Sequence, residues 1–63
     1  MKYTLIKTTP YYVTKNEKLN RNLAKKYIET YSKNVLIESL EMEARENGKA
    51  ELVTIGATLS LQA

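Results

Sequence analysis

Reactive side chains are scarce in these 63 residues, for His and Cys are both missing. Without them there is no acid–base group titrating near neutral pH, no thiolate nucleophile and no tetrahedral zinc site. Ser32, Ser39 and Ser60 stand in no nucleophile-elbow context. Glu41 and Glu43 would share a face of a strand, where paired carboxylates can move protons or hold a divalent ion. Beside a turn such a pair is ordinarily solvated surface, so no catalytic or metal role is assigned to it. Phosphate cradles need clustered glycines, and Gly48 and Gly56 do not cluster. The expectation is a non-enzyme without cofactor or metal.

Binding has more to draw on. Lys18, Arg21, Lys25 and Lys26 fall on one side of a predicted helix with Lys15 just before it, a stripe that can meet phosphates. Tyr11 and Tyr12 point to opposite sides of an extended segment, which leaves one of them to stack on a base or to anchor a protein interface. The stripe holds a single Arg, whereas bidentate phosphate grips favour Arg over Lys. A protein partner is therefore the first expectation, in the manner of small inhibitors, adaptors or sequestering proteins, including those of mobile genetic elements. The alternative is nucleic acid or a phosphorylated nucleotide-like ligand, held on the basic helix face or in a cleft between subunits.

Asn47-Gly48 lies between two alternating apolar runs, the strongest short-range hairpin signal. A turn there pairs residues whose numbers sum to 95, so Met42 faces Val53, Leu40 faces Ile55 and Leu36 faces Leu59 on one side. Upstream, Lys2 to Thr9 has strand composition, broken at Pro10. Thr14-Lys15-Asn16-Glu17 fits a capping box, and Leu19, Leu23, Ala24, Tyr27, Ile28 and Tyr31 then recur at helical spacing to about Lys33. The fold class expected is α+β: a small antiparallel sheet with one amphipathic helix on one face. Its order is β-α-β-β if Pro10 kinks one strand, or ββ-α-ββ if the chain turns there. A single helix over residues 17–46 is the structural alternative, since residues 38–46 are good helix formers.

The whole forms one domain, residues 1–63, and so short a chain buries only about 60% of its unfolded surface. The expected second sheet face carries Val35, Ile37, Leu52, Thr54 and Thr58, too apolar to be left to water. One helix about 10 Å across also cannot cover four strands about 19 Å wide. Both arguments predict a homo-oligomer, a dimer first, with those five residues in its interface. Charge is two-ended: residues 1–33 carry eight Lys/Arg against two Glu, a net of +6, and residues 34–63 carry two against five, a net of −3. No apolar run approaches the ~18 residues of a membrane span. Met1-Lys2 leads into an alternating strand rather than a secretory leader. With no Cys, a reducing cytoplasm is the expected setting.

Overall fold

Each of the outer thirds of the chain folds into a pair of strands, and the middle third into two helices. In the computed structural model β1 is Lys2–Thr9, β2 Tyr12–Leu19, α1 Arg21–Tyr31, α2 Ile37–Asn47, β3 Lys49–Thr54 and β4 Ala57–Gln62. The structure describes residues 1–9, 12–32 and 34–63, and of these it gives the backbone only for 8–9 and 12–17. All pairings are antiparallel, in the order β2-β1-β4-β3. The expected α+β class and antiparallel sheet are present. The chain reverses between Thr9 and Tyr12, which pair with each other, so the two-strand alternative holds at this end.

Asn47-Gly48 is not the hairpin turn. It ends α2, with Gly48 as C-cap at φ +82°, a left-handed position where a missing Cβ removes the steric penalty. A hairpin at Asn47-Gly48 makes residues 35–46 a strand, yet the Glu, Leu, Met, Ala and Arg of 38–46 are strong helix formers. As a helix they bury Ile37, Leu40 and Ala44 at spacings of three and four. The C-terminal hairpin instead turns at Ile55-Gly56, where Gly56 has φ +82°. Partners in β3 and β4 therefore have numbers summing to 111, as in Leu52 with Leu59. The predicted pairs of Met42, Leu40 and Leu36 across a hairpin do not exist. Val53 (72%), Met42 (60%) and Leu36 (66%) lie exposed rather than inward.

The start of α1 also differs. Residues 14–17 belong to β2, where Glu17 pairs with Leu5 and Lys15 with Lys7, so no capping box forms there. Pairing to β1 outweighs the local capping signal of this segment. Asn20 caps α1 instead, its Oδ1 accepting the Leu23 amide at 2.9 Å.

One face of the sheet holds Tyr3 and Leu5 of β1, Ala50 and Leu52 of β3, and Leu59 and Leu61 of β4, all in register. Both helices pack onto it through Ala24, Tyr27 and Ile28 and through Ile37, Leu40 and Ala44. Ala24, Ala44 and Ala50 are almost wholly buried, and such small side chains let helix and sheet backbones approach closely. Two helices side by side match the sheet width, so the mismatch that called for a second subunit disappears. Nor do the described side chains form an apolar second face of the kind expected. The uncovered side presents Lys2, Thr4 and Ile6, Lys18, Thr58, Ser60 and Gln62, and Lys49, Glu51 and Val53. No helix among the described residues is long and apolar enough to cross a membrane.

Candidate functional site

Two places in the fold gather polar or exposed groups that core formation alone does not explain. The first joins three elements. Glu41 lies in the apolar stripe of α2, only 7% exposed, with its carboxylate turned to β1 and α1. It accepts the Tyr3 hydroxyl at 2.5 Å and the Arg21 Nε at 3.0 Å. Arg21 also reaches Glu38 at 3.3 Å. No buried side-chain polar atom among the described residues is left unpartnered.

The chemistry of this cluster is that of a clasp. The Tyr3 hydroxyl bond, aided by Arg21, holds the Glu41 carboxyl below its usual range despite the opposing effect of burial. Burial, and next the bond to Glu41, pushes the Tyr3 phenol up to about 12. The Glu41 hydrogen bond and charge also raise Arg21. A carboxylate this weakly basic and a phenol this weakly acidic are both poorly matched to proton transfer near neutral pH. What the cluster does is tie β1 to both helices.

The second place is a recess of about 350 Å³ at the opposite end of the sheet, lined by Leu5, Lys7, Tyr27, Tyr31, Ile55, Gly56 and Ala57. Tyr27 is buried while Tyr31 is 61% exposed, and their rings meet at 4.9 Å with a tilt of 43°. Thr54 Oγ1 donates to the Ala57 carbonyl at 3.2 Å, so the Tyr27 hydroxyl is the donor in its 2.5 Å bond to Thr54 Oγ1. These bonds brace the β3–β4 turn against α1. Ile55, at the tip, has its side chain wholly in water (102%).

The residues singled out from the sequence are scattered by the fold. The basic stripe is not a helix face: Lys15 and Lys18 belong to β2, Arg21 on α1 is exposed but engaged by Glu41 and Glu38, and Lys25 and Lys26 lie exposed farther along α1. Lys18 sits opposite Thr4 on the uncovered side of the sheet. Tyr11 lies outside the described residues, as do the side chains of Tyr12 and Lys15. Of the expected oligomer interface, Ile37 is 2% exposed and belongs to the core, with Val35 and Leu52 packed against it. Thr54 faces the helices and bonds Tyr27, which leaves Thr58 alone of the five on the uncovered face. They make no common surface because the register that joined them does not exist.

Sequence reasoning missed both places. The first had a signal: read at helical spacing, Glu41 interrupts the stripe of Ile37, Leu40 and Ala44, and a carboxylate so placed needs a partner. Ile55 and Tyr31 had none, since both were assigned inward. Among the described residues no group of three or more potential ligands could hold a metal ion. Comparison with protein-family models, with curated proteins and with solved structures finds no match to this chain.

Proposed function

We propose that this chain is a non-catalytic binding protein that acts through contacts with another protein, made by the tip of the β3–β4 turn and the adjoining recess. One observation carries the reading: Ile55 is fully exposed beside a hollow lined by Leu5, Tyr27, Tyr31 and Ala57. A large aliphatic side chain held in water by a braced turn gains nothing for the fold, whereas burial against a partner is worth roughly 1.5–3 kcal/mol. Tyr31 adds an exposed ring of the kind enriched in protein interfaces. The volume falls at the small end of binding pockets, enough for one or two side chains of a partner. A second copy of the chain is one candidate partner, because each copy carries both tip and hollow. The cysteine-free composition suits action in a reducing cytoplasm.

The test is capture of partners from the source cell, together with mass in solution, for the wild-type chain, Ile55→Asp and Tyr31→Glu. Both substitutions are at exposed positions, so the circular dichroism of each variant is expected to match that of the wild type. Each is expected to abolish capture or self-association, while Lys25→Gln on the far side of α1 does not. Binding that survives both changes would sink the reading.

A further inference from the structure

Charge on the uncovered sheet face is unbalanced at one corner. Of the five charged residues with described side chains outside the helices, Lys2, Lys18, Lys49 and Glu51 share this face, and Lys7 points to the other. Lys49 and Glu51 neutralise each other at 2.7 Å. The Lys2 and Lys18 side chains have no ion-pair or hydrogen-bond partner among the described residues. Strand pairing nevertheless brings them together. Lys18 lies directly opposite Thr4, and Lys2 is its diagonal neighbour, about 7–8 Å away at Cα. Lys2, Thr4 and Lys18 line a recess of about 230 Å³ together with Met1, Tyr3 and Leu19. No carboxylate among the described side chains lines it. The carboxylates of α2 lie across the sheet, in the helix layer.

We infer that Lys2, Thr4 and Lys18 form an anion site for a phosphate group. Two like charges held side by side on adjacent strands repel, and an anion between them relieves the repulsion while accepting charge-assisted hydrogen bonds from both. The Thr4 hydroxyl supplies a third, neutral donor. A recess of this volume has room for a phosphate group. This site lies on the face opposite the helices and is independent of the protein-binding tip.

The experiment is an amide NMR titration of the full chain with inorganic phosphate, with ionic strength held constant by sodium chloride. A second arm replaces phosphate with a short single-stranded oligonucleotide. Saturable shifts are expected at Lys2, Thr4 and Lys18. Lys18→Gln or Lys2→Gln should weaken binding about tenfold with the melting temperature unchanged, the loss of one charge-assisted contact. Lys25→Gln should leave it as it is. Saturation by phosphate alone supports the site and identifies a free phosphate or monoester as its ligand. Tighter saturation by the oligonucleotide at the same amides supports it and identifies a nucleic-acid backbone. Shifts that fail to saturate in both arms, or that persist in both Gln variants, overturn it.

Discussion

Tyr3, Glu41 and Arg21 are unequal partners, and exposure explains why. Arg21 has nearly half its side chain in water (46%), where screening and side-chain entropy leave ion pairs worth little. The Tyr3–Glu41 bond is buried, and a buried hydrogen bond to a charged group contributes about 1.5–3 kcal/mol. Tyr3→Phe is therefore expected to cost that much in urea unfolding, and Arg21→Met distinctly less. The pH profile follows from the same groups. Glu41 has its folded pKa depressed, so its contribution is present above the unfolded value near 4 and is lost as pH falls through the folded one. Tyr3 is raised from 10.0 to about 12, so its contribution is whole below pH 10 and is lost between there and 12. Unfolding free energy measured across pH should fall at both ends. Tyr3→Phe should remove its share of the alkaline fall and return the Glu41 carboxyl, followed by NMR, toward its ordinary value. A profile unchanged by Tyr3→Phe would mean that the clasp contributes nothing.

Among the elements, α2 and the hairpin after it decide the topology. Gly48 holds φ +82° with no atom within 4 Å of where a Cβ would stand, so a substitution there meets backbone strain and no clash. Gly48→Ala should destabilise by about 1 kcal/mol, as should Asn20→Ala through loss of the α1 cap. The core assignment is tested by contrast. Ile37→Ala is expected to cost about 2–5 kcal/mol, since Ile37 is among the largest fully buried side chains, while Val53→Lys stays within about 0.5 kcal/mol. A hairpin at Asn47-Gly48 predicts the reverse for Val53, which makes this pair of variants a direct comparison of the two registers. That hairpin was the natural reading because Leu40–Ala44 alternates by chance with period two while also fitting a helix. Such short segments are settled by what they can pack against, and the strands of the real hairpin were already complete without this one.

For the whole molecule, the two-ended charge of the chain is divided among elements. The uncovered sheet face carries Lys2, Lys18 and Lys49 with Glu51, α1 carries Arg21, Lys25 and Lys26 with Glu29, and α2 carries Arg45 with Glu38, Glu41, Glu43 and Glu46. If phosphate binds at Lys2 and Lys18, affinity should fall steeply with added salt, and association through Ile55 should change little, because one is electrostatic and the other apolar. Salt series of the two activities, by NMR and by sedimentation, read these independently. Several properties are local and were legible from composition and short spacing alone: the α+β class, the antiparallel sheet, the helical stretch through Ala24, Tyr27 and Ile28, and the lack of His and Cys chemistry. The identity of the last turn, the strand over 14–19 and the surfaces left for binding were not, because each depends on which distant segment wins a pairing. Period and propensity act over a few residues, but register is chosen by the core as a unit. A shift of the turn from 47–48 to 55–56 sends Val53 and Ile55 to water and brings Ile37 and Glu41 inside.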